Sequence, residues 1–219
     1  KIDDAQTAVA QRLVQTLIKT TNLKTEITAT APDGGPLSFT ETRVWENGDA
    51  RIFGLWRQMR CAWFGPNSGT EAGTHVPAKI TFTEPRHVYD LRAGKYLGMV
   101  NEFDTALRWG RASFFMALPY RIGNLELVLS TKKPDRGSTI EAEIRLDIPS
   151  ASTARHAVLV ELKDPAGQPA EWARQVVILQ NGRATVQLPV AFNDIPGKWQ
   201  LKATELFSGA SDEICWKVK

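Results

Sequence analysis

From Leu23 to the end of the chain, apolar residues recur at every second position in short runs, and turn-forming residues break those runs at close intervals. A period of two belongs to a strand with one dry and one wet face, so this part of the chain is excluded from a helical fold. The pattern is cleanest where Ala142, Ile144, Leu146 and Ile148 alternate with Glu141, Glu143, Arg145 and Asp147. Before it lies a single helical period: Ala5, Val9, Leu13 and Leu17 recur every four residues, with Ala10, Val14 and Ile18 beside them and Asp3 or Asp4 placed to cap. Thr20, Thr21 and Asn22 end it, and a stripe that broad must pack on something.

The spacing predicts strands at 24–30, 37–45, 50–57, 78–83, 87–90, 105–107 and 112–118. They are divided by Pro32-Asp33-Gly34-Gly35, Asn47-Gly48, the loop from Gly65 to Pro77, and Arg92-Ala93-Gly94. Residues 119–124 break the pattern at Gly123-Asn124, after which come the 142–148 run and further strands at 157–162, 175–179, 184–188, 198–204 and 214–218. Roughly seven short strands in this space is the spacing of an immunoglobulin-like sandwich. The expected fold is therefore mainly β: two antiparallel β-sandwich-type domains with one N-terminal amphipathic helix. Residues 1–122 form the helix and a small antiparallel β-domain, and residues 123–219 form the sandwich. Charge agrees, with 15 basic and 12 acidic residues in 1–122 and 12 of each in 123–219, so neither part is a charged tail.

A net charge of +3 without a Lys/Arg block argues against nucleic acid as a partner, and no apolar run reaches the ~18 residues that span a bilayer. Lys1 is not preceded by Met, and the opening has no leader-like apolar stretch; the expectation is that a leader has been removed or that the chain is cut from a longer protein.

Chemistry-bearing motifs are sparse. His75, His87 and His156 stand far apart and in no metal-ligand spacing, so neither a metal nor another cofactor is expected. No Gly-x-Ser-x-Gly occurs, and nothing local activates Cys61 as a nucleophile. Glu102 with Asp104, and Glu41 with Glu46, are the nearest to a glycosidase carboxylate pair, but a chain with 24 acidic residues offers such pairs freely. No catalytic residue is assigned. Among the seven tryptophans, Trp45, Trp56 and Trp63 fall within 19 residues. Exposed rings beside polar groups suit a sugar, whose apolar face stacks on them, whereas buried rings are merely core. Arg43 and Trp45 share a numerical phase with Arg51, Phe53 and Leu55, while Val44 shares one with Ile52, Gly54 and Trp56; which phase faces inward stays open. Two cysteines cannot make a disulfide scaffold, but Cys215, alternating with Ile214 and Trp216 on the last strand, points outward and could meet Cys61 in an interdomain bridge.

Three stretches, Glu46 to Arg57, His87 to Gly98 and Phe115 to Ile122, resemble the C-terminal β-domain of large bacterial β-galactosidase-like glycoside hydrolases of the family 42 type. The run Pro189 to Leu201 is similar to the last hairpin of macroglobulin-like sandwich modules. In that family the catalytic carboxylates belong to a barrel, so the resemblance carries no catalytic residue to this chain. It implies a non-catalytic accessory region of an exported bacterial enzyme, secreted or periplasmic, packing on or positioning a catalytic domain of the same or a partner chain. A free-standing carbohydrate-binding protein and a small glycosidase are the alternatives.

Overall fold

The computed structural model describes residues 4–21, 25–37, 39–57, 75–108 and 110–219. Among the described residues, helix α1 (Asp4–Thr21) is followed by strands, with one 3₁₀ turn at Glu171–Ala173. The chain is mainly β, with antiparallel sheets and one N-terminal helix, as the periodicity predicts. Val9, Leu13, Val14 and Leu17 of α1 stand exposed.

The first sheet joins β1 (Ile27–Thr30), β2 (Thr40–Asn47), β3 (Ala50–Arg57), β4 (His75–Asp90), β5 (Lys95–Arg108) and β6 (Ser113–Leu118). Its order is β1-β4-β6-β3-β2, with β5 on the other side of β4. The strands expected at 78–83 and 87–90 are one strand. Pairing with β5 slips in register between Thr81 and Arg86, so Glu84 and Pro85 sit in an irregularity where proline costs no ladder bond. The long partner β5 likewise absorbs the short run expected at 105–107. One face of this sheet carries Phe53, Leu55, Ile80, Phe82, Val88, Leu107 and Phe115 as a buried cluster. Its rings pack closely, with Phe53 and Phe115 stacked at 5.3 Å and Phe103 edge-on to Phe115 at 5.0 Å.

The remaining strands are β7 (Leu125–Leu129), β8 (Thr139–Leu146), β9 (His156–Lys163), β10 (Gln175–Leu179), β11 (Arg183–Pro189), β12 (Gly197–Glu205) and β13 (Ser211–Val218). They form two sheets, β11-β8-β7 and β10-β9-β12-β13. The alternation read from the sequence is the burial observed: Ile140, Ala142, Ile144 and Leu146 face Val158, Val160, Leu201 and Ala203 in one core. Trp199 and Trp216, partners in register, stack inside it with their planes 7° apart.

That core also takes in Ala50, Tyr89, Met116, Leu118 and Ile122 from the first sheet and the segment after it. Polar contacts pin the same junction. Asn47 donates its side-chain N–H to Arg155 O and accepts from Arg155 N–H, while the Tyr89 hydroxyl accepts from Ile122 N–H. Tyr120 lies 2.6 Å from Ser152 Oγ and 3.0 Å from His156 Nε2, and Ser152 Oγ reaches Asp49 at 3.2 Å.

Burial pushes the Tyr120 phenol up to about 12, against a hydrogen bond from Ser152 that favours the phenolate, with Asp49 and Glu205 adding repulsion. A group holding its proton more tightly when folded contributes stability that is complete below its unfolded value near 10 and lost as pH rises toward about 12. Urea midpoints recorded from pH 9 upward are therefore expected to fall through this window, and more gently in Tyr120→Phe; parallel curves would remove Tyr120 as the cause.

Candidate functional site

The β2–β3 hairpin turns through Gly48 and Asp49, with Asn47 opposite Ala50 and Gly48 at φ +61°, the left-handed region at the position where two-residue type II′ turns place glycine. This register sets odd residues of β2 beside even residues of β3: Trp45 opposes Ile52, Arg43 opposes Gly54, and Glu41 opposes Trp56. On the next strand Gly54 opposes Phe114. Phe53 and Leu55 point into the first-sheet core, so Trp45, Gly54, Trp56 and Phe114 share the opposite face. The part of that face nearer Met116 and Tyr89 is covered by the sandwich. Among the described residues, the part around Gly54 is left open.

There, Glu41, Arg43, Trp45, Gly54, Trp56, Ala112 and Phe114 line a concavity of about 190 Å³. Trp45 is 44% and Trp56 45% exposed, which is high for rings of this size on a sheet. Trp45 and Phe114 approach to 6.3 Å between centroids, tilted by 37°. Gly54 permits this convergence. A Cβ there would stand 2.9 Å from Phe114 Cε1 and 3.2 Å from Trp45 Cζ3. At the rim the Arg43 Nε–H donates to Glu41 Oε1 at 2.5 Å, and the Arg92 guanidinium lies 5.7 Å over the Phe114 ring.

Of the tryptophans singled out in the sequence, Trp45 and Trp56 come together here; Trp63 lies outside the described residues. So does Cys61. Cys215 is half-buried on β13 between Ile214, packed on the core, and buried Trp216, with its side chain on the outer side as alternation requires. Phe114 and Arg92 were not singled out, because the β3–β6 pairing brings Phe114 to Gly54 and the β4–β6 pairing brings the turn holding Arg92 to Phe114. Gly54 itself carried a signal: a glycine inside a strand marks a close approach.

Three of the carboxylates weighed as acid pairs have other partners. Glu41 bonds Arg43, whereas Glu46, an odd number of residues along β2, stands on the other face near Arg51; Glu102 bonds Lys79. His75 meets Arg108, His87 meets Tyr96, and His156 is fully buried against Glu205. Burial lowers the proton affinity of His87, helped by Arg121. Among the described residues no three His, Cys, Asp or Glu side chains converge as metal ligands, and no helix is long and apolar enough to cross a membrane.

No protein-family model and no curated protein sequence matches the chain. Solved structures give partial likenesses. A β-glucosidase from Listeria innocua is 19% identical over 43% of this chain and 16% of its own, with a TM-score of 0.30. A β-glycosidase from Bacteroides vulgatus is 11% identical over 83% of this chain and 25% of its own, at 0.34. The Yersinia pseudotuberculosis adhesin InvE is 11% identical over 85% of this chain and 62% of its own, at 0.36. These likenesses are partial and weak, and the functional reading rests on the site itself.

Proposed function

We propose that this chain is a non-catalytic accessory unit of an exported carbohydrate-active enzyme, and that the open concavity on its first sheet holds a pyranose ring. The observation that carries the reading is the pair of half-exposed indoles, Trp45 and Trp56, set with Phe114 around the Gly54 floor. Aromatic faces take the apolar face of a sugar, and the Arg43–Glu41 pair at the rim offers donors and acceptors to its hydroxyls. The volume is below the about 300–1,000 Å³ of sites for drug-sized ligands, which suits one ring of a longer chain crossing the surface.

Division into a first-sheet domain and an immunoglobulin-like sandwich is supported by the three-strand and four-strand sheets that β7–β13 form. A positioning role is supported by a second apolar surface on the sandwich. Val176 and Ile178 lie beside Leu159 and Ala157, Leu206 bonds Ala157, and Trp172 stands on the turn leading into β10. Val176, Ile178, Leu206 and Trp172 are 45–58% exposed, the kind of surface that packs on a partner domain.

Tryptophan emission titrated with a broad panel of soluble glycans tests the binding role. Trp45→Ala is expected to weaken the binding ligand about tenfold or more, with an unchanged urea midpoint because the ring is half in solvent. Gly54→Val, which fills the floor and pushes Phe114 and Trp45 aside, is expected to weaken binding as much and also to lower the urea midpoint. No response from any glycan in the wild-type protein rejects the reading.

A further inference from the structure

One guanidinium beside the concavity has no carboxylate partner among the described residues. Two stand there: Arg43 in the lining and Arg92 over the outer side of Phe114. Two carboxylates are near. Glu41 is taken up by Arg43, and Asp90 spends one oxygen on the backbone N–H groups of Arg92 and Ala93 at the turn. Arg92 makes no ion pair with a carboxylate among the described residues, and it is exposed. Arg92 is held by the ring beneath it, with its planar donor fork free at the edge of the aromatic floor. A fork so placed is matched by a carboxylate, which accepts two parallel N–H bonds. The ligand that satisfies both halves of the site has an apolar ring face and an anionic carboxylate at its edge.

From this we infer that the site selects acidic glycans, with a uronate ring over Trp45 and the Gly54 floor and its carboxylate turned to Arg92 beside Phe114. The inference rests on the carbohydrate-binding reading and adds the class of sugar. Arg92 here is a specificity residue, and the indoles supply the contact common to all sugars.

The test uses the full chain and isothermal titration with three acidic probes: oligogalacturonate, an alginate oligosaccharide and a hyaluronan oligosaccharide. Each is paired with its carboxyl-reduced counterpart, which keeps the ring and loses the charge. At least one acidic probe is expected to bind about tenfold more tightly than its neutral counterpart, the worth of one charge-assisted contact, and the advantage is expected to shrink as salt is raised. Arg92→Gln is expected to remove that advantage, the acidic probe losing more affinity than its neutral counterpart. Trp45→Ala weakens both. Equal binding of every acid and its reduced form overturns the inference while leaving the carbohydrate reading intact. An acid preference that survives Arg92→Gln overturns the role of Arg92. Silence from all six probes and from the neutral panel fails the underlying reading as well.

Discussion

Glu205→Ala is expected to lower the free energy of unfolding by about 3–5 kcal/mol, the cost of removing one partner from a buried polar pair. Glu205 is fully buried at the end of β12, and its carboxylate is surrounded by donors. Oε1 lies 3.2 Å from His156 Nδ1; Oε2 accepts from Phe207 N–H at 3.1 Å, Ser208 N–H at 2.6 Å and Ser208 Oγ–H at 2.5 Å. Alanine leaves two backbone N–H groups and the fully buried His156 ring without this acceptor, each at about 1–3 kcal/mol if water does not reach it. Against a usual total of about 5–15 kcal/mol, that loss brings the protein close to unfolding. Glu205→Gln keeps the volume and one acceptor but turns an N–H₂ toward other donors, so its loss is expected to be intermediate. Urea unfolding followed by far-UV circular dichroism measures both; a loss below 1 kcal/mol for the alanine variant would show that the donors find other partners.

This cluster shows what the sequence could and could not convey. Alternation placed Ala142, Ile144, Leu146 and Ile148 inward because burial on one strand face is a local property; the first three are buried and Ile148 is half-buried against the same core. His156 and Glu205 follow the same inward phase of β9 and β12, yet their meeting depends on strands 49 residues apart, and no spacing announces it. The candidate site divides likewise. Trp45 and Trp56 were visible as a pair of large rings in one hairpin, but same-numbered parity does not mean same face. The two-residue turn at Gly48 and Asp49 pairs odd with even positions, so Trp45 joins Gly54 and Trp56, and Phe53 goes to the core. Phe114 and Arg92 reach the site through sheet order alone. Between the runs at 78–83 and 87–90 lies Pro85, and a register slip lets one strand pass through it.

Gly48→Ala is expected to cost about 4 kcal/mol, because two different penalties fall on one atom. The first is conformational. Gly48 has φ +61°, where a side chain costs about 1–2 kcal/mol. The second is steric, and the obstacle is rigid: a Cβ would stand 2.2 Å from Thr153 O, 2.3 Å from Thr153 C and 2.7 Å from Ala154 N, all backbone. The turn must lift from the 152–155 segment, and lifting it breaks the two Asn47–Arg155 bonds and the Asp49–Ser152 bond, about 1 kcal/mol each. Gly94→Ala separates the two penalties. Gly94 has nearly the same φ, +59°, but nothing lies within 4 Å of its would-be Cβ, so only the conformational part, about 1 kcal/mol, is expected there. The difference between the variants in urea unfolding therefore reports how firmly the first sheet is held to the sandwich. Equal losses would mean that the turn moves off the 152–155 segment at little cost, and that the polar contacts at this junction contribute little beyond the shared apolar core.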